Sequence, residues 1–222
     1  MKYNIIFFLI FSGFLISCDE SKEVDGKDCI SGSGTTIEEN RPIGDFIGIT
    51  AGIAGNLYIT QGDTNELRIV THPDLMDELQ TEVINGVLEI GFDRCISQIE
   101  KLDIFITFRE IRSVIFSGAG NIVSDNDINL AELTVILSGA GDIILSGEVD
   151  KFDFTLSGAG DLKAFDLVTS ECIITITGLG NAEVTATDEL DILITGNGNV
   201  YYKGSPSIIS SITGKGNIFD SN

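Results

Sequence analysis

Tryptophan is absent from the 222 residues, histidine occurs once and proline only three times. A single histidine means that any Ser-His-Asp or Cys-His centre must be built on His72. That residue stands beside Pro73 with no serine or cysteine nucleophile motif near it, so a surface position in a loop is expected. Basic residues are scarce as well: 13 Lys and Arg face 34 Asp and Glu, a net charge of −21. A chain of that charge is soluble and repelled by nucleic acid and by anionic lipid headgroups. Cations and neutral glycans remain the electrostatically tolerated partners. No apolar run approaches the roughly 20 residues that cross a bilayer as a helix.

The longest such run, Ile5 to Ile16, is broken by Ser12 and Gly13 and follows the positive Lys2. It has the length of the apolar core of an export signal. A small-residue cleavage site is missing, and Leu15-Ile16-Ser17-Cys18 stands in its place. This resembles the lipobox of bacterial lipoproteins, which implies that residues 1–17 are removed and that Cys18 carries the acyl chains. Acyl chains hold a protein at a membrane without a spanning helix. Residues 18–35, acidic and rich in Ser and Gly, read as a flexible tether.

The dominant signal lies in the second half, where a Ser/Thr-Gly-x-Gly-Asn/Asp-apolar unit recurs six times. The copies are Ser117 to Ile122, Ser138 to Ile143, Ser157 to Leu162, Thr177 to Ala182, Thr195 to Val200 and Thr213 to Ile218. Repetition at a fixed period of about 20 residues marks a stacked architecture. Strict alternation precedes each unit, as in Leu133, Val135, Leu137 and in Phe152, Phe154, Leu156. Period-two patterning of β-branched and aromatic residues marks strands with one buried face. A short second strand follows each corner, then a variable polar return. Two glycines around one residue permit a bend that side chains resist, and Asn or Asp just after them bonds the local backbone.

The expected fold is therefore all-β, a single-stranded β-solenoid with about 18–21 residues per coil. An antiparallel meander with Gly-x-Gly hairpins is the competing arrangement, but stacked coils better explain an invariant corner. Residues 36–222 form the folded domain, with 111–222 as six regular repeats and 36–110 as an irregular cap and first coils. Within the cap, Thr50 to Leu57 resembles a corner with insertions. Leu67 to Val70 and Lys101 to Phe108 read as strands, His72 to Leu79 as a helical turn or irregular excursion, and Asn85-Gly86 as a hairpin turn.

The lipobox, the segment Arg41 to Phe46, Ile59-Thr60-Gln61-Gly62, Asn85 to Ile90 and the Ser-Gly-Ala-Gly-Asn/Asp repeats together resemble one family. It is the Bacteroidetes family of putative auto-transporter adhesins with a head GIN domain. The resemblance implies a right-handed parallel β-helix and an adhesin-like role, and it carries over no ligand and no catalytic residue.

Of the four cysteines, Cys18 is assigned to lipid. Cys29 and Cys95 lie in polar surroundings outside the repeats and are expected to pair, since exported proteins keep disulfides. Cys172 has inward parity and reads as a buried thiol. The corner residues Asn121, Asp142, Asp161, Asn181, Asn199 and Asn217 should stack as a structural ladder. Asp142 and Asp161 on adjacent coils could hold Ca²⁺ or act as an acid/base pair. Four amides among six members argue instead for turn formation, so neither a metal, a cofactor nor a catalytic residue is assigned.

Three function classes fit: a non-catalytic binding module for a glycan or protein on a strand face or the corner ladder, a carbohydrate-active β-helix enzyme, and a self-associating structural envelope protein. The missing tryptophan and the few basic residues of the repeat half, among them Lys151, Lys163, Lys203 and Lys215, disfavour an enzyme cleft. The first class is expected, lipid-anchored at the outer membrane and facing the periplasm or the surface. The oligomeric state is left open.

Overall fold

The structure, a computed structural model, describes residues 29–222. The export segment 1–17, Cys18 and the tether as far as Asp28 lie outside the described residues. Chain order runs β1 (Ile30–Gly32), β2 (Ile37–Arg41), β3 (Gly48–Ala51), β4 (Asn56–Gln61), β5 (Glu66–Thr71), the single turn α1 (Pro73–Met76), β6 (Leu79–Ile84), β7 (Val87–Phe92), β8 (Ile96–Ile99) and β9 (Leu102–Phe108). The repeats follow as β10 (Ser113–Phe116), β11 (Ile122–Ser124), β12 (Ile128–Leu137), β13 (Ile143–Ile144), β14 (Gly147–Leu156), β15 (Leu162–Ile176), β16 (Ala182–Ile194), β17 (Val200–Lys203), β18 (Ser207–Ile212) and β19 (Ile218–Asp220).

The repeats coil into a β-solenoid of about five turns. Ser113, Thr134, Asp153, Ile173, Asp191 and Ile209 mark the starts of successive rungs and pair in parallel register. The strands before the corners make one sheet, face A, and those after them a second, face B. Alternation explains the core directly: Leu133, Val135, Leu137 and their counterparts Phe152, Phe154, Leu156 are buried while the residues between them face out. The variable polar returns within β12, β14, β15 and β16 are strand. In β12 and β14 they run without a break into face A, because Leu130 and Val149 point inward and give the return a buried side of its own. This third face, face C, closes the coil.

The N-terminal part is ordered differently in space from its order in sequence. The rung β3–β4 lies between the rung β7–β9 on one side and β10–β11 on the other. Ala54 and Ala119 are thus rung neighbours. The intervening chain reverses to close the end of the stack: β5 runs antiparallel to β9, β2 antiparallel to β5, and β6 antiparallel to β7 through Asn85 and Gly86. Asn85, at φ 51°, is the one described non-glycine residue with positive φ. Arg41 fastens this cap, donating to the carbonyls of Met76 and Leu79 and to the Thr81 hydroxyl.

A disulfide joins Cys29 to Cys95, with the two Cα atoms 4.6 Å apart, and β1 pairs in parallel with β8. Held there, β1 covers α1, and this corrects the reading of His72 as a surface residue. His72 is 2% exposed. Gly32 lies so close to Leu75 and His72 that a side chain on it would run into both.

Candidate functional site

Two repeated surfaces run the length of the solenoid. The first is the corner ladder. Each ladder residue uses its side-chain Oδ1 to accept the backbone N–H of the equivalent residue one rung on. Asn121 accepts from Asp142 at 3.0 Å, Asp142 from Asp161 at 3.1 Å, Asp161 from Asn181 at 2.7 Å, Asn181 from Asn199 at 3.1 Å and Asn199 from Asn217 at 3.1 Å. The ladder extends below the six repeats. Asn56 accepts from the Asn121 N–H, and its amide donates to Asp103. Asn56 was visible in the sequence as the residue after Ala54-Gly55. Asp103 was not, since its rung lacks the Gly-x-Gly corner.

These contacts decide what Asp142 and Asp161 can do. Asp142 Oδ2 sits 2.6 Å from the Lys163 ammonium, which holds its carboxyl below the usual carboxylate range. Asp161 Oδ1 accepts from both the backbone and the side-chain amide of Asn181. Asp142 is thus bonded through both oxygens, to the Asp161 N–H and to Lys163, and Asp161 through Oδ1 to Asn181, so each ladder carboxylate serves the backbone of the next rung. Among the described residues no three His, Cys, Asp or Glu side chains gather around a common point suited to a metal ion.

The other singled-out groups lie apart from it. Cys172 is buried in face A, where burial pushes its thiol up to about 12 and suppresses the reactive thiolate. Among the described residues, neither ring nitrogen of His72 has a hydrogen-bond partner.

The second surface is the outer side of face A. Its central row reads Thr50, Ile115, Ile136, Thr155, Thr175, Leu193 and Ser211 in register. Beside it run the corner hydroxyls of Ser117, Ser138, Ser157, Thr177, Thr195 and Thr213. The three outward rows from Gly48 to Thr213 carry two charges, Asp153 and Asp191, and are bordered by the charged row Glu132, Lys151, Glu171 and Glu189 and by Glu89 beyond Thr50. The hydroxyls of Thr134, Thr155, Thr175, Ser138 and Ser157 have no partner within the described chain, so they are available to a ligand. With rungs about 4.8 Å apart and residues about 3.3 Å apart, these rows offer a regular lattice of hydroxyl and methyl groups. Face C differs sharply: its shallow hollow is lined by Asp127, Glu148 and Asp166 around Asn129 and Val168.

The family described as "Putative auto-transporter adhesin, head GIN domain" matches residues 45–206. A crystal structure of a putative adhesin from Bacteroides fragilis superimposes with a TM-score of 0.73 at 25% identity, covering 86% of this chain and 99% of the other. A putative adhesin from Parabacteroides merdae gives 0.53 at 20% identity, covering 88% and 100%. A putative lipid binding protein from Parabacteroides distasonis gives 0.53 at 22% identity, again covering 88% and 100%. None of the curated proteins matches the chain.

Proposed function

Since the chain belongs to the family of putative auto-transporter adhesins with a head GIN domain, we propose that it is a non-catalytic, adhesin-like module of the cell envelope that holds a neutral glycan or a protein on the outer side of face A. The observation that carries this reading is the near-neutral lattice of unpartnered hydroxyls on an otherwise acidic molecule. Sugar hydroxyls exchange hydrogen bonds with Ser and Thr, and the intervening Ile and Leu methyl groups pack against apolar sugar or side-chain surface. An acidic ligand would meet the repulsion of the whole chain.

Anchoring belongs to the same proposal. Leu15-Ile16-Ser17-Cys18 supports lipid attachment at Cys18, and the acidic residues after it supply a solvated tether to the outer membrane. Family membership supports an envelope or surface location, where the disulfide between Cys29 and Cys95 persists.

The test is a glycan array and a panel of surface proteins, each followed for product release. Retention without cleavage is expected, and cleavage of a bound glycan would overturn the non-catalytic reading. Protease treatment of intact cells should remove the protein, whereas survival would contradict a surface position.

A further inference from the structure

We propose that the C-terminal end of the solenoid is a twofold interface for a second copy of this chain, made by antiparallel pairing of β18 with itself. The two ends of the stack are unequal. At the N-terminal end β6, β5 and β2 run beside the last parallel strands and cover them. At the other end β18 pairs with β16 along one edge and, among the described residues, with nothing along the other. Ile208 and Ile212 are 39% and 41% exposed, although their register partners Leu190 and Ile194 are fully buried. Ile209 is 57% exposed beside them.

Charge selects the occupant. Proteins guard open strand edges with charged residues, and the outermost strand of the N-terminal end, β2, carries Glu38, Glu39 and Arg41. Nothing charged stands between Lys203 and Lys215. Over most of the remaining surface the net charge of −21 makes two copies repel. The open end, with Lys215 and Asp220 as its charges, is a place where a second copy can approach.

The register of β18 suits such a pairing. Its inward residues are Ile208, Ser210 and Ile212, and the column of Ser210 holds Val114, Val135, Phe154, Ile174 and Ile192 in the preceding rungs. Antiparallel pairing centred on Ser210 sets each Ile208 against the other copy's Ile212 and brings the two Ser210 hydroxyls together, a favourable cross-strand pair. Both isoleucines would then be covered as their counterparts are. Because the pairing is twofold and each copy uses the same edge, association through β18 stops at two copies instead of growing into a fibre.

The experiment uses the full chain in detergent. Sedimentation should give the mass of two copies, and Ser210→Cys should yield a disulfide-linked pair on a non-reducing gel, while Ser138→Cys on face A should not. Ser210→Lys, which sets like charges opposite each other, should weaken association by at least about tenfold with an unchanged β-sheet spectrum, and with an unchanged melting temperature at dilutions where both proteins are single copies. Three results would overturn the proposal: a single-copy mass up to about 100 µM, well above the range of specific association; no cross-link through Ser210→Cys; or a ladder of species larger than two.

Discussion

The side-chain oxygen of Asn181 accepts two hydrogen bonds from Asn199, one from its backbone N–H and one from its amide, each 3.1 Å long. One residue thereby satisfies a backbone donor at a corner where parallel strand pairing is interrupted. Asn181→Ala removes that acceptor and should cost about 1–3 kcal/mol, the usual range for a stranded donor. Asn181→Asp keeps the acceptor but sets a second carboxylate against Asp161, which now accepts the Asn181 amide. Chemical denaturation should show both variants destabilised, with a shifted midpoint and an unchanged slope.

Gly141 tests the closeness of stacking. Its φ is 137°, and a Cβ there would run into the carbonyl oxygen of Gly120 on the preceding rung. Gly141→Ala should therefore destabilise by more than about 3 kcal/mol, combining backbone strain with a clash that a rigid rung cannot relieve. Gly44→Ala, where a Cβ meets nothing within 4 Å, should leave the melting temperature nearly unchanged. Thermal melts of the two variants side by side make the comparison.

His72 is buried, and among the described residues neither ring nitrogen has a partner. An apolar ring of similar size removes that desolvation cost, so His72→Phe should stabilise the fold by about 1 kcal/mol. For a domain of this size that is a rise of about 2–4 °C in Tm. A fall in Tm would show that the imidazole has a partner.

The Asp142–Lys163 pair predicts a pH dependence. The lysine hydrogen bond holds the Asp142 carboxyl below its ordinary 3.8, so the unfolded chain binds more protons there. The stabilisation is complete above 3.8 and is lost as pH falls through the depressed folded value. For Lys163, raised above 10.5 by the same contact, the contribution is lost as pH rises through the elevated folded value. Asp142→Asn keeps the acceptor for the Asp161 N–H, as Asn121 does one rung below. It should flatten both limbs of the stability profile measured by urea unfolding across pH.

How much of this was legible in the sequence follows from what a parallel stack records. The Gly-x-Gly corners and the alternation before them exposed the coil, its period and its buried residues, because each rung repeats the same local demand. The ladder of Asn and Asp was legible for the same reason. The neighbouring of Ala54 and Ala119 was not, since parallel pairing leaves no trace of which distant segment lies alongside. Asp103 joins the ladder from a rung without the corner, and only the stacking of β9 on β4 reveals it. The strand character of the returns was hidden by polar outward residues around Leu130 and Val149. His72 was misplaced because its burial depends on β1, fixed far away through Cys95. Face A emerged as a surface only when the rungs aligned Thr155 with Thr175.

The binding role of face A is tested most directly by a paired substitution on a ligand found by the glycan or protein panel. Thr155→Glu with Thr175→Glu places two carboxylates side by side at the centre of the hydroxyl lattice, where both side chains face outward and the fold has no need of them. Surface plasmon resonance should show binding reduced at least about a hundredfold, roughly 2.7 kcal/mol, while Glu148→Gln on face C leaves it unchanged. Undiminished binding by the face A variant, or loss through the face C variant alone, would contradict the account.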